Sequence, residues 1–120
     1  MTNGPIDEAT RQLLKYHYHR LSICNEDSYL LLSLHQILDI QASSSYSIIH
    51  LANGKQLLTC KTLKTWEDEI NHPYFYRCHR SYIVNTKHIH RIHLKTNMLE
   101  VEGVKIPIAR LRKGSDTLRI

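Results

Sequence analysis

The chain has 120 residues, a formal charge of +5 beside nine histidines, and 42% apolar residues. That is one domain's length with room for a real core, and no apolar run reaches the roughly 18 residues of a membrane span. Three widely spaced cysteines (Cys24, Cys60, Cys78) argue against a disulfide framework and for a reducing cytoplasm; the basic balance fits nucleic acid, an anionic membrane or an acidic protein and does not choose among them.

The first residues, Met1 to Pro5, carry no basic-then-apolar signal, so secretion is not expected. Residues 5–19 read as a helix. Pro5 suits the first turn, Asp7 and Glu8 favour the positive end of the dipole, and the end from Lys15 to Arg20 is cationic. Leu13, Leu14 and Tyr18 give it an apolar stripe. It is either a docking helix or a linker to a partner domain. Residues 1–20 are therefore assigned to an N-terminal helix or linker and 21–120 to the folded domain.

From Leu21 the period changes. Leu21 to Cys24 and Tyr29 to Leu34 read as a hairpin around the polar cluster Asn25 to Ser28. His35 to Leu38 suggests a short helical turn. Strands follow at Ile37 to Ala42 and Tyr46 to Leu51, with Ser43-Ser44-Ser45 a flexible loop between them. Asn53-Gly54 signals a hairpin into Gln56 to Cys60. Lys61 to Ile70 is the clear internal helix: Thr62 is a candidate N-cap, Leu63, Trp66 and Ile70 share a face, and Pro73 stops it.

Phe75 to Asn85 mixes charged and core-type residues more tightly than any other stretch. It reads as a short strand and a tight turn, with Arg77 and His79 on one face and Tyr76, Cys78 and Arg80 on the other. Strands at Ile89 to Leu94, Met98 to Val101 and Val104 to Ile108 follow, with turns at Thr96-Asn97 and Glu102-Gly103. Ala109 to Ile120 is basic and suggests a short helix. The sum is eight or nine short strands with one or two short internal helices and an N-terminal helix. That is a mainly β, antiparallel, multi-stranded domain.

Enzyme motifs are absent: there is no glycine-rich phosphate loop and no His-Glu-x-x-His helix. Cys78 and His79 are adjacent on a strand, point to opposite faces and cannot form a nucleophile pair. No enzyme activity and no cofactor are expected. His88, His90 and His93, or His17 and His19, raise a metal site, but zinc needs three or four converging ligands and nothing ties the groups together. No metal is expected.

The cations are more telling. Arg77, Arg80, Lys87 and Arg91 lie around the Phe75 to Asn85 stretch, and Arg110, Arg112 and Lys113 lie near the C-terminus. They form either a solvated basic face or a surface for phosphates and base edges. The internal helix carries Glu67, Asp68 and Glu69, which would repel a phosphate backbone. Any DNA contact must come from loops and strand ends.

At this point the order of segments resembles a known family. Phe75-x-Arg77-x-His79-Arg80-Ser81-Tyr82-Ile83-Val84-Asn85 is similar to the signature of the LytTR (LytR/AlgR-type) DNA-binding domain of bacterial transcription regulators. Ile37-x-x-Ile40-x-Ala42-x-x-x-Tyr46, Gly54, Thr62-Leu63-Lys64-x-Trp66-Glu67, Ile89-x-x-Ile92 and Ile106-Pro107-Ile108-Ala109-Arg110 resemble its other segments in order. The resemblance covers roughly residues 21 to 113.

The resemblance implies a ten-stranded, mostly β fold. It implies double-stranded DNA as partner, bound by loops on one edge that enter successive major grooves. Pairs of molecules would sit on tandem repeats, as a homodimer on DNA, with no membrane involved. Transcription regulation of the two-component, response-regulator type in the cytoplasm follows. The first contact loop is then Ser44, Ser45 and Tyr46, the second Arg80 and the third Arg110. Ser81, Lys87, Arg112 and Lys113 face phosphates, Tyr82, Ile83 and Val84 belong to the core, and Arg77 and His79 are structural.

Two departures matter. Many members carry a receiver domain, but only about twenty residues precede the first strand here, so the chain is either free-standing or a piece of a longer protein. Ala109-Arg110 stands where many relatives have Ser-Arg, which keeps the arginine and removes a hydroxyl. The alternative to DNA binding is a protein-interaction module with a basic face. The short N-terminal segment and the histidine-rich surface favour it.

Overall fold

The computed structural model describes residues 20–24 and 27–109. The helix expected over 5–19, the turn residues Asn25 and Glu26 and the basic stretch from Arg110 onward lie outside the described residues. The strands are β1 (Arg20–Cys24), β2 (Tyr29–Ser33), β3 (Ile37–Ser43), β4 (Tyr46–Leu51), β5 (Gln56–Thr59), β6 (Phe75–His79), β7 (Tyr82–Asn85), β8 (Ile89–His93), β9 (Met98–Val101) and β10 (Val104–Pro107). One α-helix, α1 (Leu63–Ile70), lies between β5 and β6, and 3-10 turns occupy Leu34–Gln36 and Thr86–His88. The mainly β antiparallel class therefore holds. The extra strand comes from the Phe75–Asn85 stretch, which is a two-strand hairpin and not a strand with a turn. No helix among the described residues is long and apolar enough to cross a membrane.

The chain divides into two compact units between Gln36 and Ile37. In the first, β1 and β2 form the expected antiparallel hairpin, with Leu21 opposite Leu32 and both buried. The second unit holds two sheets. Five strands run in the order β5-β4-β3-β7-β6, and three in the order β10-β9-β8, all pairs antiparallel.

Strand β3 is the centre of the larger sheet. Ile40 stands opposite Ile49 of β4 on one side and Ile83 of β7 on the other. All three are buried, each contributing about 1.5–3 kcal/mol relative to exposure. Alternation along β4 puts Ser47 and Ile49 on the same face. Helix α1 covers that face. It starts at the N-cap Thr62, whose Oγ1 accepts from the Thr65 N–H, and ends at Asn71 in the left-handed region, two residues before Pro73. Its Trp66, the chain's single tryptophan, is 1% exposed. The indole Nε1–H donates to Ser47 Oγ and to Thr59 Oγ1, both at 2.9 Å. These hydroxyls lie 2.6 Å apart, and Ser47 Oγ also donates to the Lys61 carbonyl at 2.8 Å. A buried indole N–H and two buried hydroxyls are thus satisfied together, as burial requires.

The opposite face carries Val84, and the smaller sheet packs there. Val84, Cys78, Leu99, Val101 and Ile106 form one buried cluster, with Tyr76, Tyr82 and Ile92 against it. The β9–β10 hairpin turns through Glu102 and Gly103, both at positive φ (47° and 79°), the pattern of a two-residue turn that follows strand twist. The β4–β5 connection is longer than its Asn-Gly signal suggests: it runs over Ala52 to Lys55, with Gly54 at φ 89°.

On that second face Asp39 and His50 are cross-strand partners, 2.6 Å apart between Oδ1 and Nδ1. Asp39 is buried. Burial pushes its carboxyl above the ordinary value of 3.8, outweighing the lowering effect of His50. No pattern in the sequence marked this pair.

Two expectations follow. Trp66→Phe keeps most of the volume and removes the shared donor, so it should cost about 1–3 kcal/mol in urea unfolding followed by circular dichroism. A cost near zero would mean the hydroxyls satisfy each other without the indole. The second concerns acid. A carboxyl with a raised folded pKa contributes stability that is present below its unfolded pKa and lost as pH rises through the folded one. Asp39→Asn should therefore be most favourable relative to wild type near neutral pH. Its advantage should shrink as pH falls through the raised folded pKa of Asp39 towards the ordinary value of 3.8. Glu100 and Glu102 are held low by hydrogen bonds from His93 and His90, and they cancel in this difference. A stability gap that stays constant with pH would contradict the assignment.

Candidate nucleic-acid interface

Register decides which candidate residues meet. The β3–β4 hairpin closes with Ser43 opposite Tyr46, leaving Ser44 and Ser45 as a two-residue turn. The serine loop is thus tighter than expected, with Ser44 in the left-handed region at φ 59°. On the other side of β3, Gln41 pairs with Tyr82, and the next step is the Ala42 N–H donating to the Ser81 carbonyl at 2.8 Å. The β6–β7 turn at Arg80 and Ser81 therefore sits at the same end of the sheet as the β3–β4 turn. Adjacent strands lie about 4.8 Å apart, so the two hairpin tips are close neighbours.

The third expected loop begins here too. The Ala109 N–H donates to the Cys78 carbonyl at 2.7 Å, which brings the residue before Arg110 against β6, beside the Arg80 turn. Arg110, Arg112 and Lys113 themselves lie outside the described residues. Tyr46, Ser44, Ser45 and Arg80 are all exposed, Tyr46 at 46%. No ion pair among the described residues holds the Arg80 guanidinium.

The Arg80 turn is braced from below. Arg77 on β6 donates from Nε to the His79 carbonyl at 3.1 Å and from Nη2 to the Arg80 carbonyl at 2.7 Å. Its Nη1 meets Glu67 Oε1 of α1 at 3.0 Å. His79 Nδ1 accepts from the Ser81 N–H at 3.1 Å, and the His79 ring lies edge-on to Tyr82 at 6.1 Å. Arg77 is a cation by composition, yet each of its nitrogens is engaged within the protein.

Lys87 is not brought to this end. It follows β7 in the 3-10 turn Thr86–His88, where Thr86 N–H bonds the Tyr74 carbonyl and Lys87 Nζ lies 4.4 Å from the Tyr74 ring centroid. The length of β7, about 3.4 Å per residue, separates it from Ser81. The residue that the sequence reading missed is Lys61. The β5 exit lies at the turn end, because Thr59 pairs with Ser47. Lys61 is already committed, however: its Nζ bonds both Glu69 carboxylate oxygens (2.9 and 2.7 Å) and sits 4.8 Å from the Trp66 ring centroid.

The histidines have other partners. His90 Nε2 meets Glu102 at 2.6 Å, and His93 Nε2 meets Glu100 at 3.0 Å. Among the described residues no group of three metal-ligating side chains converges.

The comparisons with known proteins bear on the family and the fold. The family model of the LytTr DNA-binding domain matches residues 27–115. Over 89 residues the chain is 34% identical to the "Transcriptional regulatory protein LytR" of Staphylococcus aureus strains N315 and USA300, covering 71% of this chain and 36% of each relative. The chain thus spans about a third of the length of these curated relatives. A solved LytTr DNA-binding domain from Bacillus cereus aligns with a TM-score of 0.64 at 21% identity, over 76% of this chain and 86% of that one, which is a likeness of fold. With the family model matching residues 27–115, most of its length, the chain belongs to the LytTr DNA-binding domain family.

Proposed function

We propose that this chain binds double-stranded DNA sequence-specifically and regulates transcription as the DNA-binding part of a response-regulator-type protein in the cytoplasm. The observation that carries this reading is the convergence of exposed turns at one sheet end: Ser44, Ser45 and Tyr46 in one, Arg80 and Ser81 in the next, and Ala109, which leads to Arg110, beside them. The tips enter major grooves. Arg80 and Arg110 donate to guanine N7 and O6, and Tyr46 meets a base edge or a thymine methyl. Ser81, Arg112 and Lys113 face phosphates. Two copies occupy tandem repeats. The excess of basic residues, +5 overall, adds attraction that is independent of sequence.

This reading leaves out Lys87, which follows β7 in the Thr86–His88 turn. Two acidic charges of α1 are offset within the protein, since Glu67 pairs with Arg77 and Glu69 with Lys61.

Selection from random duplex DNA should enrich a repeated motif. Against the enriched duplex, Arg80→Ala and Arg110→Ala should each cost about 1–3 kcal/mol and relax one base position. Lys87→Ala should change binding by less than about 0.5 kcal/mol. Log affinity should fall with log salt at a slope near −0.9 per phosphate contacted. If no motif is enriched, the protein-interaction reading replaces this one.

A further inference from the structure

We propose that Arg77 is a specificity-determining positioning residue: anchored by Glu67 of α1, it fixes the His79–Arg80 backbone so that Arg80 meets one base position. The inference deepens the DNA-binding reading and rests on it.

Four consecutive carbonyls at this turn have fixed partners. Cys78 accepts from Ala109 N–H, His79 from Arg77 Nε, Arg80 from Arg77 Nη2 and Ser81 from Ala42 N–H. The β6–β7 ladder is irregular between Tyr76 and His79, so the tip is held to the strands below it only through its closing pair His79–Tyr82 and these side-chain and neighbouring-strand bonds. Arg77 supplies the two central bonds, and both come from one planar group. That group is oriented by Glu67 at 3.0 Å. A guanidinium spans three acceptors in one plane; a lysine ammonium is a point charge on a flexible stem and cannot hold the same fork. With the carbonyls of residues 79 and 80 pulled inward, the peptide planes on both sides of the Arg80 Cα are set, and the exposed Arg80 side chain leaves the tip in a defined direction. Ordering that backbone before binding spares the ordering cost at the moment of association. Misplacement would weaken the directional bidentate contact to a base more than the undirected attraction to phosphate.

The test uses the full chain and the duplex enriched by selection, with a shuffled duplex as the nonspecific probe. Arg77→Lys keeps the charge. It should lower affinity for the selected duplex roughly tenfold, leave shuffled-duplex affinity and the salt slope unchanged, and relax the same base position as Arg80→Ala. In the Arg80→Ala background it should have no further effect on binding. Thermal unfolding is measured in parallel. Should Arg77→Lys not fold, Glu67→Gln decides the matter, since it removes only the anchor and should reduce discrimination in the same Arg80-dependent way. Wild-type discrimination in the folded variant, or a loss equally large without Arg80, would overturn the inference and leave DNA binding standing. If the wild type enriches no duplex, the DNA-binding reading falls and takes this inference with it.

Discussion

The pairing of β3 with its two neighbours is the constraint on which the rest of this structure depends. Ile40 faces Ile49 and Ile83 across the two ladders, and two residues further on the Ala42 N–H reaches the Ser81 carbonyl at 2.8 Å. A slip of one residue in either ladder would turn the isoleucines away from α1 and put neighbours such as Asp39 under it, because side chains alternate with a period of two. The hydrophobic pattern therefore fixes the register. The register in turn fixes which turns lie side by side at the sheet end. The core and the candidate interface are two consequences of one alignment.

The same sheet has two dissimilar faces. One is closed by a helix and a buried indole whose N–H serves two hydroxyls. The other is closed by the three-stranded sheet over Val84 and Cys78, with the Asp39–His50 pair on the same face. Cys78 shows what such burial does to chemistry. It pushes the thiol up to about 12, so this cysteine stays protonated and acts as a small core residue. With both faces occupied, the larger sheet leaves exposed the turns at one end, at Ser44, Ser45, Tyr46 and Arg80.

Positive charge is sorted by geometry. Arg77 and Lys61 lie near the turn end, but each is tied to a glutamate of α1. Arg80 is exposed beyond them. Arg77, grouped with the cations by composition and expected to be structural, is a brace, and Arg80, three residues on, is exposed. The acidic side of α1, which in sequence argued only that the helix avoids DNA, has a positive role as the anchor of that brace.

The amino-acid sequence by itself determined what is local. The bounds of β4, the Thr62 N-cap, the stop before Pro73, the β9–β10 turn and the order of family segments were all legible, because each rests on residues close together in the chain. The division of the Phe75–Asn85 stretch into a buried and an exposed half was legible in the same way: Ile83 and Val84 are buried and Arg80 is exposed. Only tertiary structure decided the Glu67–Arg77 clasp, the Trp66–Ser47–Thr59 network, the Asp39–His50 pair and the separation of Lys87 from the other candidates. These join groups 7 to 19 positions apart, or separate groups that are near in sequence. Strand register brings such groups together, and register is settled by burial across the whole sheet and not by any one segment.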